Sequence, residues 1–81
     1  MHKIMSIIAF VLIKTEAGKA FHVVEGVKKI EGVIEAYAIT GEYDVIAKVE
    51  AADIKELGEK VVTKIHAIDG VHYTVTSIAV T

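Results

Sequence analysis

The sequence of 81 residues predicts a single α+β domain in which two strand–helix–strand units share one four-stranded antiparallel sheet. The first observation is a repeat: displaced by 38 residues, the chain matches itself, and the motif IEGV at residues 30–33 falls on IDGV at residues 68–71. The second is that strand-like alternation and helix-like spacing follow in the same order in both copies. The resulting order, βαββαβ, is the ferredoxin-like arrangement, with both helices on one face of the sheet.

The first and third strands are predicted from alternation along the chain. Val45, Ala47 and Val49 alternate with charged or larger residues, so they should share the face that meets the helices. The repeat transfers this parity to the first strand, where Ala9 and Val11 should also face the helices. The residues between them should then face away from the helices.

Both helices are predicted from apolar residues that recur every three to four positions. In the first copy this spacing covers residues 20–30, with Thr15 as the predicted N-terminal cap and Lys28 near the end, where the helix dipole favours cations. In the second copy Asp53 and Glu56 resemble a capping box. The buried stripe of the second helix is predicted to contain Ile54, Leu57, Gly58, Val61, Val62 and Ile65.

The two copies join at the hairpin motif ITGEYD, residues 39–44. Gly41 fits the first position of a two-residue turn of type II′, which requires a positive φ there. With that turn, paired positions in the second and third strands sum to 83, and Glu35 lies opposite Lys48. An opposite-charge pair across two strands supports this register.

The hairpin carries more polar chemistry than a turn needs, because Asp and Glu are poor strand formers. One interpretation is structural: Gly41 turns the chain, Glu42 is solvated, and Asp44 bonds backbone amides beside the turn. The other is functional: Asp44 and the Gly41 backbone line a small polar pocket where subunits meet. Free N–H groups at a glycine turn suit a carboxylate, and an Asp suits an ammonium group. Together these groups would bind an α-amino acid.

The sheet face away from the helices is predicted to be apolar. Such a face is not stable in water, and two sheets packed face to face would cover it, so the sequence predicts a dimer. The parity of the last strand is left open, because Thr74 and Thr76 share the helix side with His72 unless a bulge shifts the register. The predicted dimer interface consists of Ile8, Phe10, Leu12, Tyr37, Ile39 and Ile46.

Composition excludes several classes of function. The chain has no Cys, and its four His show no metal-ligand spacing, so neither a thiolate site nor any other metal site is expected. A net charge of −2 without any Arg argues against direct nucleic-acid binding. The longest apolar stretch, Ile4–Ile13, is about half the roughly 20 residues of a membrane-spanning helix. Few thermolabile residues and abundant Lys and Glu favour a thermophilic source.

The segment EAYAITGEYDVIAKVEA (residues 35–51), followed by I-x-G-V-x-x-T-x-T (residues 68–76), closely resembles the effector-binding (RAM) domain of the Lrp/AsnC, or feast/famine, transcriptional regulators. The likeness covers essentially the whole chain, from AFVLIKTEAGK at residue 9 to the end, and residues 1–81 are expected to form a single domain of this type. The helix-turn-helix domain of that family is absent, so the resemblance implies the stand-alone form. Thr40 and Ser77 are added as neighbours of the matching positions. The ligand-binding residues that the resemblance implies are Thr40, Gly41, Tyr43, Asp44, Thr74, Thr76 and Ser77.

The resemblance implies a cytoplasmic amino-acid-sensing module without enzyme activity or cofactor. Dimers would assemble into a ring, such as an octamer, and amino acids would bind between dimers. The module could co-assemble with full-length relatives or buffer amino acids. The alternative is a small dimeric α+β-barrel enzyme of the monooxygenase type, for which His72 is the only His in the interior of a predicted strand. A deep enclosed cavity containing His72 would favour that alternative.

Overall fold

The computed structural model describes residues 6–81, and it confirms the predicted βαββαβ order. The antiparallel sheet has the strand order β2-β3-β1-β4, so that β2 and β4 form its edges. The first part of the apolar stretch that begins at Ile4 lies outside the described residues. The elements are β1 (Ile7–Thr15), α1 (Ala20–Lys28), β2 (Val33–Ala38), β3 (Val45–Ala51), α2 (the α-helical Ile54–Glu56, the π-helical Leu57–Val62 and the α-helical Thr63–His66, in succession) and β4 (Val71–Ile78).

The core lies between the sheet and the two helices, and the predicted parity of β1 and β3 is confirmed. Ala9 and Val11 are completely buried, as are their neighbours Val45, Ala47 and Val49 on β3. Burial of each Val side chain stabilises the fold by about 1.5–3 kcal/mol. The helices cover this face with Val23, Val24 and Val27 from α1 and Leu57, Val61 and Ile65 from α2.

The predicted cap of α1 is wrong. Thr15 is the last residue of β1, and Lys19 precedes α1 without a capping hydrogen bond from its side chain. The Thr15 backbone N–H and hydroxyl both donate to the carboxylate of Asp44, just before β3. The polar groups of Thr15 are therefore bonded to a side chain across the sheet and do not cap α1.

The start of α2 is confirmed at Asp53, whose Oδ1 accepts the Glu56 backbone N–H at 2.7 Å. The Glu56 carboxylate accepts the backbone N–H of Ala52 at 2.6 Å, one residue earlier than in a standard capping box. Ile54, predicted to be buried, is 65% exposed, and Gly58 is exposed as well, so both predictions were wrong.

A π-helical turn explains part of this difference in α2. The Thr63 backbone N–H bonds the carbonyl of Gly58, five residues earlier, and the Thr63 hydroxyl donates to the same carbonyl at 2.8 Å. The wider turn changes the spacing of side chains along the helix. Leu57, Val61 and Ile65 form the buried face at a spacing of four.

The pairing of β4 with β1 is regular from Ile78 to Tyr73 and places Thr74 opposite Ile13 and Thr76 opposite Val11. Thr74 and Thr76 therefore share the helix side of the sheet, and Tyr73 lies on the open face opposite Lys14. A bulge follows, because Thr15 lies opposite Val71, so that one extra residue is accommodated on β4. The open face is the sheet surface away from the helices.

The register of the β2–β3 hairpin is confirmed, since Ala38 pairs with Val45 and Glu35 with Lys48. The two-residue turn is wrong, because the last hydrogen bond of the ladder joins Ile39 N–H to the Asp44 carbonyl at 2.8 Å. Asp44 directs its own N–H to the Ile13 carbonyl of β1 at 3.0 Å, which opens the connection to residues 40–43. The Glu35 carboxylate accepts a hydrogen bond from the Tyr37 hydroxyl on the same strand and face.

The helices are short relative to a lipid bilayer. Within residues 6–81, no helix combines the length and the apolar character required to cross a membrane.

Candidate functional site

The hairpin tip, defined here as residues 40–44, lies against the end of β1, and Asp44 joins the two. Its Oδ2 accepts the Thr15 backbone N–H at 2.9 Å and the Thr15 hydroxyl at 3.2 Å. The Lys14 ammonium lies 3.7 Å from the same oxygen and donates to the Glu42 carbonyl at 3.4 Å. Asp44 thus bonds a backbone amide beside the turn, as the structural interpretation of the motif expects.

The Asp44 side chain nevertheless keeps the properties of a ligand-binding carboxylate. It is 30% exposed, and Oδ1 has no hydrogen-bond partner within residues 6–81. The Thr15 N–H and the charge of Lys14 hold the pKa of Asp44 below its ordinary value. The carboxylate is therefore ionised at neutral pH and can accept a further donor on Oδ1.

Aromatic side chains border this carboxylate. Tyr43 meets Tyr73 of β4 edge to face, with ring centroids 6.3 Å apart, and His72 contacts Tyr73 at 5.5 Å. Partial burial, together with the charge of Glu42, raises the pKa of Tyr43. Its phenol therefore stays neutral at physiological pH and can donate or accept a hydrogen bond.

Gly41 leaves open space at the tip. Its φ of +111° is a conformation that side-chain-bearing residues rarely adopt, yet a Cβ placed there would have no neighbour within 4 Å. Glycine is therefore needed here for the backbone conformation and not for lack of room. Thr40 and Glu42 on either side are exposed, so the backbone of the tip is accessible.

The seven residues implied by the resemblance do not form one cluster within a chain. Thr40, Gly41, Tyr43 and Asp44 are together at the tip. The other three lie on β4: Thr74 and Thr76 are on the helix side, and Ser77 is on the open face opposite Phe10. The Thr74 hydroxyl is already hydrogen-bonded to the His66 ring at 3.0 Å.

Two residues that lie beside the tip, Lys14 and Tyr73, were missed by sequence reasoning. Lys14 lies next to Asp44 because β1 and β3 pair with Ile13 opposite Val45. The 38-residue repeat aligns these two strands in sequence, but it does not give their pairing register. Tyr73 lies close to the tip because β4 pairs with β1 in a register that places it opposite Lys14.

The open face contains all six residues of the predicted dimer interface, and in one chain it is uncovered. Phe10 and Tyr37 are 37% and 56% exposed, and Ile8, Leu12, Ile39 and Ile46 are half-buried. Val75, which sequence reasoning missed, adds a further apolar side chain that is 39% exposed. A cleft of about 180 Å³ on this face is lined by Phe10, Glu35, Tyr37, Ile46 and Lys48.

A larger cleft of about 600 Å³ opens at the opposite end of the sheet. It lies between the start of β2, the end of β3 and α2, and its charged lining residues include Glu50, Lys60 and Lys64. His72 does not line it and is exposed on β4. Among residues 6–81, which exclude His2, no three His, Asp or Glu residues are grouped closely enough to hold a metal ion.

The fold is that of a small α+β domain with a polar hairpin tip. Residues 8–81 match the family described as the Lrp/AsnC ligand binding domain, and the chain belongs to that family. It is 39% identical over 74 residues to an uncharacterised helix-turn-helix-type transcriptional regulator of Pyrococcus furiosus, covering 88% of this chain and 49% of the relative. The chain spans about half the length of the curated regulators it matches.

Two of the solved structures that match share both the fold and the length of this chain. TTHA0845 from Thermus thermophilus is 35% identical with a TM-score of 0.86, and 93% of this chain matches 94% of that one. PHS023 from Pyrococcus horikoshii is 39% identical with a TM-score of 0.82, at coverages of 93% and 90%. The regulator NMB0573 of Neisseria meningitidis, solved in complex with L-Met, is 22% identical with a TM-score of 0.80, at coverages of 93% and 50%, which shows the fold alone.

Proposed function

We propose that this chain is an amino-acid-sensing regulatory module, not an enzyme, that binds a small amino-acid effector where subunits meet. The observation that carries the proposal is the Asp44 carboxylate, ionised and partly exposed beside the accessible backbone of Gly41. Family membership supports it, as does a protein of the same fold that was solved with L-Met.

The chemistry of the tip matches the two charged groups of an α-amino acid. Oδ1 of Asp44 would accept the ammonium group, while Oδ2 stays bonded to Thr15. Backbone N–H groups near Gly41 would donate to the carboxylate, because consecutive N–H groups at a turn form an anion-binding concavity. The Tyr43 phenol would add a neutral hydrogen bond or an apolar wall.

Assembly of several copies would complete the site. Thr74 and Thr76 lie on a different side of the sheet from the open-face residues. If they also bind the effector, as the resemblance implies, the tip and these hydroxyls would come from different subunits. We propose a dimer through the open face and a ring of dimers, such as an octamer, with the effector between dimers.

A thermal-shift screen of the twenty standard amino acids tests the sensing role. An effector that binds only the folded assembly stabilises it by about 2.7 kcal/mol at a hundredfold excess over its dissociation constant. We expect one or a few amino acids to raise Tm and the rest to leave it unchanged. If none of the twenty raises Tm, the sensing proposal is wrong.

The dimer is tested with two exposed phenylalanines. Phe10 lies on the open face, whereas Phe21 lies on α1 and is 78% exposed. We expect Phe10→Lys to produce monomers in light scattering at micromolar concentration and Phe21→Lys to behave as the parent. A monomeric parent, or a Phe10→Lys variant that assembles normally, would contradict the open-face dimer.

The partner of the module is proposed to be a full-length Lrp/AsnC regulator in the cytoplasm. The curated relatives that the chain matches are transcriptional regulators of about twice its length, so they offer an equivalent domain for mixed assembly. Affinity capture from a native lysate, with and without the amino acid found in the screen, would test this. We expect a full-length family member to be recovered with the parent and to be lost with Phe10→Lys.

A further inference from the structure

We infer that Lys14 is a further ligand-binding residue, one that makes the tip selective for zwitterionic α-amino acids over their neutral α-amides. The inference rests on the proposed function, since it assigns a role within the same site. Lys14 and Asp44 place opposite charges side by side at the tip, with the Lys14 ammonium 3.7 Å from Asp44 Oδ2.

The geometry leaves both members of the pair able to bind. The ammonium of Lys14 has three N–H donors, and its hydrogen bond within residues 6–81 goes to the Glu42 carbonyl at a long 3.4 Å. Its side chain is 39% exposed. On Asp44, the bonds to Thr15 and the ion pair all involve Oδ2, and Oδ1 is available.

The distances also match the size of the ligand. The ammonium and carboxylate of an α-amino acid are separated by a single carbon, so a receptor needs an anion and a cation only a few ångströms apart. Lys14 and Asp44 satisfy this requirement, and β-sheet pairing holds their backbones side by side. A bound zwitterion would replace one loose internal ion pair with two charge-assisted contacts.

The position of Lys14 follows from the sheet and not from a mobile loop. It lies on β1 opposite Tyr73, whose ring contacts Tyr43. A neutral amide in place of the ligand carboxylate would lose the attraction to Lys14 and keep that to Asp44.

The test compares each amino acid that binds the parent with its own α-amide. Titrations at pH 6 keep the amide's amino group charged, since its pKa is near 7.7–8.0 in roughly unperturbed form. In the parent we expect the amide to bind about tenfold or more weakly than the amino acid. In Lys14→Met this difference should shrink to about twofold or less, through weaker binding of the amino acid itself.

Lys28→Met is the matched control, because Lys28 is an exposed Lys on α1, away from the tip. It removes the same charge from the chain and should retain the parent's preference for the amino acid. If Lys14→Met discriminates between acid and amide as the parent does, the inference is wrong while the proposed function stands. If the parent binds none of the twenty amino acids, both are wrong.

Discussion

The two ends of the sheet are related by the 38-residue repeat, yet the Lys14–Asp44 pair of the tip end is not repeated at the equivalent positions of the other end. At the tip end Lys14 lies beside Asp44. The repeat assigns Ala52 and Ser6 to the corresponding positions at the other end, where the Ser6 hydroxyl donates to Glu50 instead, at 2.6 Å. The duplicated framework is therefore common to both ends, and the charge pair is particular to one.

The connections that follow β1 and β3 differ in a related way. Residues 16–19 separate β1 from α1, and Lys19 covers Gly70 and pairs with Asp69 at 3.0 Å. Only residues 52–53 separate β3 from α2, and the cleft of about 600 Å³ lies at that end. The repeat therefore specifies the sheet and core, while differences in loop length and polar residues determine what each end can bind.

The largest effect is expected at the two glycines that the repeat aligns, Gly32 and Gly70. Both have φ of +101°, so alanine at either position is strained by about 1–3 kcal/mol. At Gly70 the added Cβ would also lie 2.9 Å from the Cβ of Lys19, too close without a shift of the chain, whereas at Gly32 it would lie 3.1 Å from the Glu50 carbonyl oxygen. We expect Gly70→Ala to lower the free energy of unfolding more than Gly32→Ala in urea titrations. Equal losses would mean that the loop around Lys19 shifts to accommodate the added Cβ.

Acid and salt are expected to have an intermediate effect on the stability that two aspartates contribute to the fold. Hydrogen bonding to the Thr15 N–H chiefly lowers the pKa of Asp44, and hydrogen bonding to Lys19 lowers that of Asp69. A lowered pKa stabilises the fold above about pH 4, and this contribution is lost as the pH falls through the folded-state pKa. The stability gap between the parent and either Asp→Asn variant should therefore narrow from pH 5 to pH 2.

At pH 7, added salt should distinguish the stability contributions of the two aspartates. The Lys19–Asp69 ion pair is exposed and should be screened in 1 M NaCl, where the Debye length is about 3 Å. The bond from a neutral backbone N–H to Asp44 should persist. We expect salt to reduce the destabilisation caused by Asp69→Asn more than that caused by Asp44→Asn in thermal unfolding, and an equal response would contradict this assignment of causes.

The smallest effect is expected at Lys60, which borders the cleft. Its contact with Glu56 is an exposed pair at 3.6 Å, and such pairs contribute about 0.5 kcal/mol or less. Lys60→Met should leave chemical denaturation almost unchanged, whereas Lys19→Ala, which also uncovers Gly70, should destabilise the chain measurably. A larger loss at Lys60 would mean that the cleft end depends on its charges.

The sheet, its parity and the hairpin register could be predicted because alternation and the internal repeat are local signals. Val45, Ala47 and Val49 are buried as their spacing requires. The N-terminus of α1 could not be predicted, since Thr15 is equally suited to capping a helix and to bonding a carboxylate across the sheet. The choice depends on Asp44, 29 residues away.

The composition of the tip was only partly predictable. The surplus of polar residues identified Asp44 and Gly41, but Lys14 and Tyr73 join them through the registers in which β1 pairs with β3 and with β4, which arise from tertiary packing. The exposure of Ile54, the first residue of α2, was likewise missed. Whether Thr74, Thr76 and Ser77 bind the effector depends on contacts between chains and stays a prediction.

The proposed site depends on the claim that the Asp44 carboxylate binds an amino-acid ammonium group, and calorimetric titration of Asp44→Asn tests this claim. Asn preserves an oxygen that can accept the Thr15 N–H, so the fold should survive while the charge is lost. Thr15→Val is the control, since it removes only the hydroxyl bond on Oδ2. We predict about ten- to hundredfold weaker binding of the screened amino acid in Asp44→Asn and parent-like affinity in Thr15→Val. Parent-like affinity in Asp44→Asn, with the assembly intact by light scattering, would contradict the claim.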